Sequence, residues 1–457
     1  MKKYLFGLFT LGLALNLTSC KTDIDNNPEA SELDISLTNS LETASNGIGK
    51  EYYILPESND FAAIPQDPKN PLSAAKVELG KLLYHETGLA QNPVNLSGMN
   101  TYSCASCHHA AAGFQACVAQ GMGEGGSGFG AFGESRKPNA NYKTSDIDVQ
   151  PLRSPSILNI AYQELVLWNG QFGATGANVG TEDKWHPGSH PIAQNFLGFE
   201  GVETQALAGR EVHRLVIDKI FMSNIGNYKQ LYEKAFDPAS FYNPTSLKNN
   251  SSLAIAAYER VVLANQSPFQ LWLRGNNGAM SEDEKKGALL FFGKGNCASC
   301  HNGPSLANME FHAYGMKDLK NGQIGNSMVI NVNPNDAAHL GRGGFTGVDS
   351  EKYEFKVPQL YNLKDSPFYG HGASFSSVKE VIMYKNLAKK ENDNVPDSYL
   401  SSQFKPLNLT SDEIEQLTVF IENALRDPNL TRYVPSKLPS GLGFPNNDKQ
   451  TRVDLGF

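Results

Sequence analysis

A chain of 457 residues is longer than one compact domain usually runs, so two domains with separate cores are expected. With 39 basic against 47 acidic residues and a net charge of −8, the chain lacks the basic excess that a nucleic-acid partner requires. Its charge favours a basic protein partner only weakly, through long-range steering.

The first predicted element is an export signal. Residues 1–20 read as a short basic start, Lys2 and Lys3, then an apolar run from Tyr4 to Leu17 too short to span a bilayer, then Thr18-Ser19-Cys20. Leu17-Thr18-Ser19-Cys20 looks like a bacterial lipobox. It predicts removal of residues 1–19 and lipid on Cys20, and so a protein of the periplasm or cell envelope anchored to a membrane. An ordinary secretory signal with an incidental cysteine is the alternative. Residues 20–50, rich in Asn, Asp, Ser and Thr with little apolar periodicity, predict a flexible tether without a core.

Apolar residues at helical spacing over residues 74–84 predict a helix leading into Cys104-Ala105-Ser106-Cys107-His108. Residues 121–150 form a Gly-rich loop; it lacks the Lys-Ser/Thr of a phosphate-binding loop and is expected to pack over a cofactor. A second irregular stretch, residues 173–199, contains Trp185, His186 and His190. Residues 252–263 have helical spacing, and Ser281-Glu282-Asp283-Glu284 caps a helix running to Phe292 and into Cys297-Ala298-Ser299-Cys300-His301. Ser411-Asp412-Glu413 opens a last helix, residues 414–425.

Two thiols separated by two residues can add to the two vinyl groups of one haem, and the adjoining histidine then reaches the iron. A zinc site or a redox disulfide is the competing reading of such a pair. Both pairs here end in His, and exported chains rarely keep zinc thiolates. Cys104, Cys107, Cys297 and Cys300 therefore attach two haems c, with His108 and His301 as proximal iron ligands. Once Cys20 is lipidated only Cys117 remains, predicted to be a small buried residue, so no disulfide framework is expected. Function turns on the opposite face of each iron: a strong sixth ligand suits electron transfer, and an open position admits peroxide.

The ordered segments around these motifs resemble the bacterial diheme cytochrome c peroxidase family, from about residue 70 to 420. They are Leu79-Gly80-Lys81-Leu82-Leu83-Tyr84, Arg153-Ser154-Pro155-Ser156-Ile157-Leu158-Asn159, Leu167-Trp168-Asn169-Gly170, Ser267-Pro268-Phe269, Gly287-Ala288-Leu289-Leu290-Phe291-Phe292, and Phe355-Lys356-Val357-Pro358-Gln359-Leu360-Tyr361-Asn362. The resemblance implies a mainly α fold of two cytochrome c-like helical domains with long loops, each holding one covalent haem c. The peroxidatic domain would span residues 51–270 and the electron-transfer domain residues 271–435. They would be joined near residues 267–281, and a C-terminal tail would occupy residues 436–457.

The implied activity is reduction of hydrogen peroxide to water at the first haem, with electrons arriving at the second from a small soluble cytochrome c or cupredoxin. Trp168 would lie between the haems. Of the family's distal Gln and Glu, Gln205 carries over through Glu203-Thr204-Gln205-Ala206; the Glu does not align, its simple count landing on Leu215, and Glu211 is the nearest carboxylate. No His lies between His109 and His186 to act as a resting ligand of the first iron, which leaves His186, His190 or His213 as substitutes. After His371-Gly372-Ala373-Ser374-Phe375, the sixth ligand of the second haem falls among Met383, Tyr384 and Lys385, with Met383 chemically preferred; Met309, Met316 and Met328 are remoter. Ser154 stands where the family's calcium-binding Asn is expected, so the sequence lends calcium no support. A homodimer is left open. A diheme oxidase of a protein or organic substrate, which a Tyr384 ligand would favour, and a non-enzymatic electron carrier are the alternatives.

Overall fold

The computed structural model describes residues 27–188 and 190–457, so the predicted signal and Cys20 lie outside the described residues. The described chain is mainly helical, with many short 3-10 turns and three two-stranded antiparallel pairs. In chain order the helices are α1 (Glu32–Ala44), α2 (Ala74–His85), α3 (Gly201–Val212), α4 (Lys219–Asn224), α5 (Tyr228–Ala235) and α6 (Pro244–Arg260). They continue as α7 (Pro268–Leu273), α8 (Glu282–Phe292), α9 (Gly341–Thr346), α10 (Val378–Leu387), α11 (Ser411–Val419) and α12 (Lys449–Leu455). No helix among the described residues is long and apolar enough to cross a membrane.

Both cysteine motifs are delivered by the same local design. Ser73 caps α2 by accepting from the Lys76 amide, and Leu79, Leu82 and Leu83 share its buried face. At Gly80 the helix crosses α6 so closely that a Cβ would lie 1.8 Å from the Ala254 carbonyl oxygen. In the second half Ser281 and Glu284 form a capping box that starts α8, and at Gly287 a Cβ would lie 2.0 Å from the Gln416 carbonyl oxygen of α11. Each crossing is followed by a 3-10 turn that carries the cysteines, Cys104–Ser106 and Cys297–Ser299. The two cytochrome-like units predicted from the motifs are thus present.

The termini depart from expectation. The described part of the predicted tether contains α1, opened by a Ser31–Asp34 capping box, with Leu37 and Leu41 fully buried against the second half. Asp34 accepts from Trp272 Nε1 at 2.6 Å and pairs with Lys285 Nζ at 2.7 Å. Against a burial penalty, Lys285, Ser31 and Trp272 hold its carboxyl down at about 2. Two leucines four residues apart in a polar background were too sparse a pattern to reveal this helix. The last residues cross the other way. Pro445 O accepts from Ser103 Oγ at 3.1 Å beside the first motif, and Asp448 meets Arg136 at 3.1 Å, both side chains buried.

Separate cores are not observed. One continuous apolar cluster runs from Leu37 to Tyr433 and takes in Phe269 and Trp272 of α7. The predicted junction at residues 267–281 is therefore packed interior, because Phe269 stacks on Trp272 and Phe292 and meets Phe420 edge-on. A small second cluster, including Ala119, Leu319 and Phe368, joins the Gly-rich region to the second half.

Candidate functional site

Both cysteine motifs open on one cavity of about 910 Å³, lined by residues of both halves. That volume lies at the upper end of the roughly 300–1,000 Å³ of small-molecule sites. Cys104, Cys107, Cys297 and Cys300 are all free of disulfides. Burial pushes the thiols of Cys104, Cys107 and Cys297 up to about 12. Cys300 differs, its thiol lowered by the His312 ring 3.4 Å away. Cys300, Glu310 and His312 are the one group among the described residues that could gather three metal-ligating atoms, and haem attachment would take Cys300 from it.

The residues present fit two haems. Burial holds His108 and His301 down at about 4, so both imidazoles are neutral, the form that ligates iron. His301 Nδ1 sits 3.1 Å from Leu306 O, which leaves Nε2 for a metal. His108 Nδ1 is buried with no partner. Lys356 is buried on the cavity wall, its Nζ 2.5 Å from Gln163 Oε1 with no carboxylate partner among the described residues, and burial pushes it down to about 7. A haem carboxylate is the anion that would complete it.

Trp168 lines the cavity and donates from Nε1 to Arg153 O at 2.7 Å. Its ring meets His371 edge-on at 6.3 Å, His371 stacks on Phe355 at 3.7 Å, and Trp168 O accepts from the Lys356 amide at 2.7 Å. It therefore stands where the first half touches the second. Gln205 also lines the cavity, on α3. Two residues before it, buried Glu203 takes Arg260 of α6 in two hydrogen bonds of 2.8 and 2.5 Å, which fixes the roll of α3 and hence the direction of Gln205.

Two expected site residues lie off the cavity. Glu211 is not on the cavity wall; its side chain is 56 % exposed and pairs with Arg210 at 3.0 Å, since the helical period turns position 211 outward. Met383 is 44 % exposed and also lies off the wall, on the outer face of α10. Tyr384 is buried but engaged, its hydroxyl donating to Tyr314 O at 2.5 Å. Lys385 lies on the wall, and burial lowers its ammonium to about 8. His186 and His190 lie against each other with tilted rings, their centroids 5.0 Å apart, and neither lines the cavity. Calcium gains nothing near Ser154, because Arg153 buries its guanidinium there against Gln115 Oε1 and Ser366 Oγ. Cys117 is buried, as expected.

The sequence reading named His213 only as a substitute ligand of the first iron and did not foresee its partner. His213 stands on the cavity wall with its Nδ1 2.7 Å from Oδ2 of buried Asp148, close enough to His108 for its charge to lower that imidazole. Gln205, Gly209 and His213 follow at i, i+4 and i+8, one face of α3 and the turn after it. A Cβ at Gly209 would come 3.3 Å from Gln205 Nε2 and 3.9 Å from His213 Cδ2, so the glycine leaves a gap between an amide and an imidazole. That spacing was the available signal; Asp148, arriving from the Gly-rich loop, had none. Glu259 of α6 also lines the cavity, its Oε2 without a partner and its carboxyl raised to about 8 by burial.

Residues 74–278 match the model of the di-haem cytochrome c peroxidase family. Among curated proteins the chain is 24 % identical over 425 residues to the methylamine utilization protein MauG of Methylorubrum extorquens, covering 93 % of this chain and 94 % of that one. It is 25 % identical over 332 residues to cytochrome c551 peroxidase of Pseudomonas aeruginosa, covering 72 % and 76 %. Among solved structures, a MauG-like protein associated with microbial copper homeostasis aligns with a TM-score of 0.53 at 21 % identity, over 82 % of this chain and 95 % of that one.

Proposed function

We propose that this chain, whose residues 74–278 match the model of the di-haem cytochrome c peroxidase family, reduces hydrogen peroxide to water beside Cys104, Cys107 and His108, with electrons entering at Cys297, Cys300 and His301 from a small soluble cytochrome c or cupredoxin. The observation that carries this reading is the gap at Gly209, flanked by Gln205 and by His213 with Asp148 behind it. Two haems held through the two cysteine pairs would supply electron storage and transfer.

The chain supplies the rest. Peroxide needs two protons and two electrons to become two waters. His213 Nε2 takes the proton from one peroxide oxygen and returns it to the departing one, while the Asp148 carboxylate holds the Nδ1 proton and steadies the charge on the ring. The Gln205 amide donates to the oxygen on which charge develops. Gly209 keeps the space open. Trp168, between the halves, shortens the route for electrons.

The two alternatives draw less support. An oxidase reading would gain from Tyr384 at the second haem, but that hydroxyl is engaged by Tyr314 O. A pure electron carrier has no use for the open gap beside a His–Asp pair. The export signal and Cys20 support a place in the periplasm or cell envelope, and palmitate labelling that survives Cys20→Ser would refute the lipid anchor. The deciding experiment mixes peroxide with the as-isolated and the half-reduced holoprotein in a stopped-flow spectrometer. Fast spectral change is expected in at least one state; if neither reacts faster than free haem, the peroxidase reading is lost.

A further inference from the structure

Three adjacent residues of α10 carry atoms able to ligate iron, and the helical period separates them. Val378, Val381, Ile382 and Lys385, spaced i, i+3, i+4 and i+7, line the cavity that the second cysteine motif opens on. Met383 lies on the outer face, and Tyr384 is held by Tyr314 O with its ring against Phe375 and Phe404. Only Lys385 brings a donor atom from this helix to the cavity.

We infer that Lys385 Nζ is the sixth ligand of the iron carried by Cys297, Cys300 and His301. The side chain is half-buried on the same wall system as His301, and Nζ lies over the ring of Tyr314, 3.1 Å from its centroid. Among the described residues no carboxylate comes within 4.0 Å of it, whereas the neighbouring Lys294 is paired with Glu413 at 2.6 Å. A cation held away from water with only a ring face for company lacks a full partner. Coordination gives the nitrogen one: the ammonium releases a proton to solvent, and the lone pair so freed binds the metal. The rival donor is Met316, whose thioether also reaches this cavity. His312 is occupied by Cys300, Glu310 and Ser401.

The inference rests on haem at the second motif and not on peroxide turnover, so its outcome is separable from that of the proposed activity. The test uses the diferric holoprotein, with covalent haem content measured first to confirm two haems per chain. Electron paramagnetic resonance and near-infrared magnetic circular dichroism then report the ligands. The parent is expected to show one low-spin haem with two nitrogen ligands and no thioether-to-iron band. Lys385→Ala should convert that haem to high spin, a loss of the whole low-spin signal, and Lys385→Met should introduce the thioether band. Should Lys385→Ala lose haem, Lys385→Arg keeps length and charge without an available lone pair, and is expected to lose the same signal. A thioether band in the parent that Met316→Leu removes, or a low-spin signal unchanged in a two-haem Lys385→Ala or Lys385→Arg protein, overturns the assignment.

Discussion

Replacing His213 tests the proposed proton route most directly. The ring's Nδ1 is 2.7 Å from Oδ2 of Asp148, whose side chain is only 6 % exposed, so this is a charge-assisted bond in a poorly solvated place. Positioned acid–base groups contribute about 10²–10⁴-fold, and His213→Leu should slow the bimolecular reaction with peroxide by that factor, about 2.7–5.4 kcal/mol of barrier. Asp148→Asn keeps the imidazole but removes a bond worth about 1.5–3 kcal/mol, which predicts a loss of roughly tenfold to a hundredfold. The pH dependence has a definite sign. Burial alone would lower the His213 pKa, yet Asp148 raises it above 6.5. Because the neutral ring is the proton acceptor, the rate should rise with pH through a limb above 6.5. In Asp148→Asn burial and the Arg214 charge remain, both lowering, and the limb should move below 6.5. The assay is a stopped-flow peroxide titration from pH 5 to 9 on protein of verified haem content. Glu211→Gln serves as the control and should stay within about threefold, since that carboxylate faces solvent. A His213→Leu rate within threefold of the parent, or a limb that ignores Asp148→Asn, would refute the route.

Filling the gap at Gly209 with valine should abolish the peroxide reaction while both haems remain attached, because the added methyls occupy the space between Gln205 Nε2 and His213; unchanged kinetics would mean peroxide binds elsewhere. Glu203→Gln leaves the buried Arg260 with the half-buried Glu200 as its remaining carboxylate and should destabilise the fold in urea by less than the about 3–5 kcal/mol of a fully stranded buried charge, with Glu203→Asp losing less still. Asp448→Ala strands Arg136 in the same way and also uncaps α12, for a similar loss of about 3–5 kcal/mol. The Asp448 carboxyl is depressed in the fold: burial raises it, but Arg136 and the hydrogen bonds from Thr451 and Gly128 outweigh that. Its contribution is therefore present above the ordinary carboxylate pKa and lost as pH falls through the lower folded one, so the parent should be more acid-sensitive than Asp448→Ala when both are measured as midpoints from pH 6 to 2. Equal acid sensitivity would show that this pair does not tie the C-terminal segment down.

Covalent chemistry was legible without coordinates. The Cys-x-x-Cys-His spacing follows from the porphyrin and not from the fold, so Cys104 to His108 and Cys297 to His301 could be read directly, together with the capped helices that carry them. The glycines at 80 and 287 could be placed by likeness of segment, but their reason, two backbone crossings with no room for a Cβ, is tertiary. Distal groups were misread because they depend on helix roll and on distant partners. Position 211 looked right by chemistry and faces water; position 213 was one of three interchangeable iron-ligand candidates until Asp148, 65 residues earlier, arrived beside it. Met383 was favoured by softness, but the period of α10 sends Lys385 inward.

The termini make the same point at larger scale. A polar segment with two leucines and a short tail carried no pattern strong enough to announce burial, and each is held by single long-range partners, Trp272 and Lys285 for Asp34, Arg136 for Asp448. The sequence by itself determined which atoms can bond to a cofactor, because that is a matter of residue type at fixed local spacing. The tertiary structure alone decided which side chains share the cavity with that cofactor, because this depends on how helices roll and cross over separations that no local pattern encodes.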